Sequence, residues 1–152
     1  MAHIAAGVAL LGSSSGLVLT AARAATRDDP AEAHTLYELM RILTFSLAIP
    51  FSFIALASGA ALALGTRWGL LRHWWVVAKL ALLVATLATG ALLTGPTIDT
   101  MVDATAPGGA GDSAAEKRLV VSIAAQGTMV LAALGLAVVK PWGRMRRSAP
   151  QR

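Results

Sequence analysis

Four long apolar segments constrain the fold of this chain more than any other feature of its sequence. They cover residues 2–22, 42–64, 74–93 and 119–139, and each has about the 20 residues that a helix needs to cross a hydrocarbon core roughly 30 Å thick. The sequence lacks the ten-residue alternating segments that build membrane β-barrels. It therefore predicts an all-α polytopic membrane protein, an antiparallel four-helix transmembrane bundle that forms a single domain. The tripeptide Ala22-Arg23-Ala24 would also suit a signal-peptide cleavage site, but no basic region precedes the first apolar segment, so we retain four spans.

Opposite charges are segregated between the connections that join these segments. All eight acidic residues lie in 23–41 or 94–118, whereas 65–73 and the tail 140–152 contain basic residues and no acid. Because Lys and Arg in short loops mark the cytoplasmic side, we expect both termini and the middle connection to be cytoplasmic. The basic tail is then expected to lie on anionic lipid. This placement at the ends of spans argues against nucleic acid as a partner, although the net charge is +5.

Composition excludes several chemistries and suggests a source. The chain has no cysteine, so it forms no disulfide, no thiolate metal site and no cysteine nucleophile. Abundant alanine and a preference for arginine over lysine are typical of proteins from GC-rich bacteria. We therefore expect the bacterial cytoplasmic membrane, with the lipid bilayer as the main partner.

The stretch RHWWVVAKL, at the start of the third apolar segment, predicts a membrane boundary. Tryptophan rings prefer the headgroup layer, and basic side chains extend to it, so Arg72, Trp74 and Trp75 are predicted interface anchors. Lys79 lies one turn further in. Its ammonium group either extends outward beside Trp75, in a cation–π contact, or faces a polar cavity between helices, where it would be a functional charge.

Small residues predict close helix packing on the first two segments. Gly12 and Gly16 are four residues apart and share a face of the first helix, and Ala55 and Gly59 offer a similar face on the second. Packing within the bundle and homodimerisation through the first face both remain open. Pro50 is expected to kink the second helix, because it has no amide proton to donate.

Two histidines are brought to one membrane face by the predicted topology. His3 and His73, from different helices, could ligate a haem iron or a metal, with Lys79 beside an anionic group of the cofactor. Alternatively, both imidazoles are ordinary headgroup contacts.

A second candidate metal site lies on the opposite side. Carboxylate, thioether and imidazole groups there could bind a cation such as copper, and the alternative is a solvated acidic loop. The residues are His34, Met40, Asp99, Met101 and Asp103. Glu38 and Arg41, three apart nearby, are predicted to form a local ion pair.

Several segments resemble a known family. They are His3 to Ser13, then Pro50 and Ser58-Gly59, and finally the stretch from Trp68 to Leu80. Together they resemble a bacterial family of predicted integral membrane proteins, domain of unknown function 2269, over roughly the first two-thirds of the chain. His3, Gly12 and the segment 69–79 are also similar, more weakly, to the membrane domain of copper resistance protein D, which implies copper binding or transport.

These features favour a non-enzymatic bundle that binds a partner or ligand, or that serves as an accessory subunit of another membrane protein. The second hypothesis is a haem- or copper-binding membrane protein that uses the interfacial histidines. An enzyme is the third, because no nucleophile–base pair, phosphate-binding loop or zinc signature is present.

Overall fold

The computed structural model describes residues 1–65 and 73–139, which fold into four helices joined by short connections. Helix α1 runs from Ala2–Ala24, α2 from Pro30–Gly65, α3 from Trp74–Thr105 and α4 from Ser113–Val139. All four are long and apolar enough to cross a membrane, which confirms the all-helical fold and the four predicted spans. Arg72 and the basic tail 140–152 lie outside the described residues.

The helices pack in a ring, each against two neighbours. α1 contacts α2 and α4, and α3 contacts the same two helices from the opposite side. Successive helices run in opposite directions, so α1 begins beside the end of α2 and the start of α3. We call this the cavity end. The other end, which carries all eight acidic residues, is the acidic end.

Large apolar side chains are exposed on the outer surface of every helix. Leu19, Leu64, Leu92 and Val121 are each about two-thirds exposed or more, at 68%, 71%, 73% and 68%. Soluble monomers rarely leave apolar surface of this extent in water. The exposed faces are therefore the surface that contacts lipid.

Helices α2 and α3 are longer than the apolar segments that predict them. α2 has 36 residues, which is about 54 Å at 1.5 Å per residue and exceeds the roughly 30 Å hydrocarbon core. It begins at Pro30 rather than near residue 42, because the Asp29 carboxylate accepts a hydrogen bond from the amide of Ala31 (2.9 Å) and Pro30 suits the first helical position. α3 likewise extends to Thr105. Both helices therefore project past the apolar layer at the acidic end.

A π-helical turn interrupts each of these two long helices just before a proline. The turns are Thr44–Ala48 in α2 and Gly90–Thr94 in α3. The amides of Ile49 and Gly95, which immediately precede Pro50 and Pro96, bond to carbonyls five residues back. Proline cannot donate the usual helical hydrogen bond, and its ring crowds the carbonyl four residues before it. A wider turn relieves that crowding and keeps both helices continuous.

The buried core is unevenly distributed between the two ends. The acidic end contains a large cluster, in which the side chains of Met40, Ile98 and Leu119 are at most 1% exposed. The cavity end has a small cluster of Ala6, Leu10 and Ala55. Dense packing therefore fixes one end of the bundle and leaves space between the helices at the other.

Candidate functional site

A cavity of about 280 Å³ lies between the helices at the cavity end. Side chains from all four helices line it, and most of them are apolar. Among the described residues of its wall, the ionisable ones are His3 of α1 and Lys79 of α3. Leucines make up much of the remaining wall: Leu56, Leu62, Leu80 and Leu83. An apolar pocket with a few convergent polar groups has the usual character of a small-molecule site.

His3 is held against α2 at Gly59, where that helix has no side chain. A Cβ atom at Gly59 would lie only 3.0 Å from Cε1 of His3, which is tighter than ordinary van der Waals contact. Glycine therefore provides the space that the imidazole ring occupies. Ala55, one turn earlier on the same face, is 3% exposed and packs against Ala6 and Leu10 of α1.

Ser58 sets the orientation and the tautomer of His3. Its hydroxyl donates to the carbonyl of Ile54 (2.6 Å), and its oxygen lies 3.1 Å from Nδ1 of His3. Since the hydroxyl has a single proton, Nδ1–H of His3 is the donor in that second contact. The other nitrogen of the neutral ring, Nε2, is then an unprotonated acceptor. The same geometry argues against Ser58 as a nucleophile, because its proton is directed at the backbone rather than at a base.

Lys79 and Trp75 lie one turn apart on α3, and both line the cavity. Lys79 lies on the wall of a largely apolar space between helices, whereas the second alternative predicted a polar cavity. Trp74 points away from the bundle and is 57% exposed, which suits an interface anchor. His73 precedes α3, is 6% exposed, and lies with its ring centroid 6.4 Å from that of Trp75. It is not among the residues that line the cavity.

The glycines of α1 differ in their surroundings. A Cβ atom at Gly16 would contact Leu43 of α2 at 3.4 Å, whereas one at Gly12 would have no atom within 4 Å. Gly16 therefore serves packing inside the bundle, and Gly12 lies on the exposed side of α1.

A buried polar network joins α3 to α4 near the second π-helical turn. The hydroxyl of Thr94, a fully buried side chain, lies 3.1 Å from Oγ of Ser122 and 3.0 Å from Oε1 of Gln126. Nε2 of Gln126 donates to the carbonyl of Thr86 (3.1 Å). These residues belong to no motif in the sequence, although Gln126 is conspicuous as an amide within an apolar segment. Hydrogen bonds of this kind tie membrane helices together.

At the acidic end, the predicted metal-site residues have separate environments. Met40 and Met101 are buried in the apolar cluster, Asp103 is exposed, and Asp99 lies 3.2 Å from Nε of Arg41. His34 donates from Nδ1 to the carbonyl of Val102 (3.1 Å), which ties α2 to α3. No group of three or more His, Asp or Glu side chains that could hold a metal ion occurs among residues 1–65 and 73–139.

Arg41 also pairs with Glu38 on its own helix. The distance from Nη1 of Arg41 to Oε1 of Glu38 is 3.6 Å, which confirms the predicted ion pair. Arg41 thus lies between two carboxylates, and its charge is compensated within the protein.

The structure brings His3 and Lys79, 76 positions apart in the sequence, to one cavity with a defined imidazole tautomer. The resemblance to the family of unknown function stays a prediction from the sequence, since no family model, curated protein or solved structure matches this chain.

Proposed function

We propose that this protein is a ligand-binding bundle of the bacterial cytoplasmic membrane, which holds a small, largely apolar molecule in the cavity between its helices. The observation that supports this most directly is the 280 Å³ cavity with His3 and Lys79 on its wall. Mostly apolar walls bind an apolar body through exclusion of solvent, and two polar groups at one place orient its head.

The size of the cavity favours a small ligand. A volume of about 280 Å³ lies near the lower end of the range for small-molecule pockets, which is about 300–1,000 Å³. Such a volume suits part of an acyl chain or a small ring system.

Haem or copper binding is the second candidate function. It is favoured by the orientation of His3, because histidines that ligate metals commonly donate their other ring proton to a neighbouring oxygen, as Nδ1 does to Ser58. If this candidate is correct, protein purified in mild detergent should show a Soret band or stoichiometric copper, and His3→Ala should abolish the signal. A colourless, metal-free preparation would count against it.

Binding in the cavity is testable through the tryptophan on its wall. The protein would be reconstituted in zwitterionic phosphatidylcholine vesicles and titrated with brominated acyl probes, both a fatty acid and the matching fatty alcohol. We expect saturable quenching of tryptophan fluorescence by at least one probe, because bound bromine atoms would lie near Trp75. Trp75→Phe should remove most of the saturable component. Quenching by both probes that only rises linearly with concentration would refute the proposal.

The proposal includes an orientation with the cavity end facing the cytoplasm. It is supported by the charge distribution: segments 66–72 and 140–152 contain seven basic residues and no acid, and such loops stay on the cytoplasmic side. Since the chain lacks cysteine, single cysteines report accessibility directly. Ala110→Cys, in the exposed connection at the acidic end, should react with a membrane-impermeant maleimide in intact cells. Ser148→Cys should react only after permeabilisation, and the reverse pattern would show an inverted protein.

A further inference from the structure

The charge of Lys79 has no acidic side chain to pair with anywhere in its half of the protein. All eight Asp and Glu residues lie at the acidic end, and segments 66–72 and 140–152 contain none. The nearest acid along α3 is Asp99, 20 positions away, which is about 30 Å along a helix. Ion pairs require contact within about 4 Å, so no side chain of this protein completes one with Lys79.

The groups that do share the cavity with Lys79 do not compensate its charge. His3 carries no negative charge, and the rest of the wall that the described residues form is apolar apart from Trp75. Arg41, by contrast, is paired with acidic side chains, since it lies 3.6 Å from Glu38 and 3.2 Å from Asp99. Ionisable groups within membrane segments are normally paired, since an isolated charge is costly in a medium of low polarity.

We infer that the ligand of this cavity is an anionic amphiphile, whose carboxylate or phosphate pairs with the Lys79 ammonium while its acyl chain lies among the leucines. The inference rests on the proposed function and specifies its ligand class. His3, the other polar group that the described residues of α1 and α2 bring to the cavity wall, lies beside the same space and would contact the head of the ligand. The charge of Lys79 therefore fits the anionic head of such a molecule, and the apolar wall of the cavity fits its acyl chain.

The test compares charged and neutral versions of one acyl probe on the reconstituted protein. A brominated fatty acid should bind at least about tenfold more tightly than the fatty alcohol with the same chain, since hydrogen bonds to charged groups are the stronger ones. Lys79→Gln should weaken binding of the acid by about tenfold or more and weaken binding of the alcohol far less. Lys79→Arg, which retains the charge, should keep most of the affinity for the acid.

Lys117→Gln is the matched control. Lys117 is exposed at the acidic end, so its removal changes the net charge equally without touching the cavity, and both probes should bind this variant as they bind the wild type. Equal affinities of acid and alcohol, or an unchanged affinity of Lys79→Gln for the acid, would overturn the inference while leaving ligand binding intact. If neither probe binds saturably, the proposed function itself fails.

A third probe identifies the source of the anion. Phosphatidylglycerol with the same brominated chain should bind saturably if the head is a membrane phosphate, whereas selective binding of the free acid would identify a fatty carboxylate. Both results support an anionic amphiphile. Binding of the alcohol alone would exclude it.

Discussion

Replacing Gly59 with leucine is expected to weaken binding of the acyl probes by about 100-fold, or about 2.8 kcal/mol. The first added carbon would already lie 3.0 Å from Cε1 of His3, and the remaining three would enter the cavity that His3 lines. The substitution therefore displaces the imidazole from Ser58 and removes space from the ligand. Fluorescence titration with the brominated probes measures the loss, and circular dichroism checks that the helices persist.

Gly135→Leu is the matched control for this effect. Gly135 is an exposed residue of α4 near the cavity end, and a Cβ atom there would have no atom within 4 Å. The same added volume should leave probe affinity unchanged. If Gly59→Leu binds the probes as tightly as the wild type, the quenching arises from lipid around the protein rather than from the cavity.

The number and direction of the helices could be predicted because bilayer thickness sets a length that the sequence must meet. The same topology correctly implies that the starts of the first and third helices lie at one end of the bundle, and with them His3 and Lys79. Their common cavity could not be predicted. A helix that is apolar on every side has no polar face to indicate its rotation, so the contact between Gly59 and His3 is fixed by packing alone.

The two π-helical turns explain why the sequence does not predict which way the side chains that follow them face. Each turn adds one residue to the helix, and one residue corresponds to a rotation of about 100° around the axis. Residues after Thr44–Ala48 or Gly90–Thr94 therefore face a different direction from the one that uninterrupted spacing predicts. Pro50 and Pro96 signal an irregularity, but proline is equally compatible with a kink or a helix end. The polar network around Thr94 and Gln126 lies at such a turn, which is why spacing did not reveal it.

Packing at the acidic end holds the four helices together around the cavity. Its cluster joins all four helices, with Leu17 from α1, Tyr37 from α2, Met101 from α3 and Leu119 from α4. Among residues 1–65 and 73–139, the cluster at the cavity end has three buried members, far fewer than the cluster at the acidic end. We therefore attribute most of the stability of the bundle to the acidic end, where a large substitution should have its greatest effect.

Ile98→Ala is accordingly expected to lower the free energy of unfolding by about 2–4 kcal/mol. Ile98 of α3 is fully buried in the acidic-end cluster, so truncation leaves a void that close-packed neighbours fill only in part. Leu92→Ala is the control on the same helix, because Leu92 is 73% exposed on the outer surface and should change stability by less than about 0.5 kcal/mol. Unfolding in mixed micelles of rising dodecyl sulfate content, followed by circular dichroism, measures both. Equal losses for the two variants would mean that burial in the acidic-end cluster contributes no more to stability than the exposed outer surface. The open cavity end would then not depend on dense packing at the acidic end.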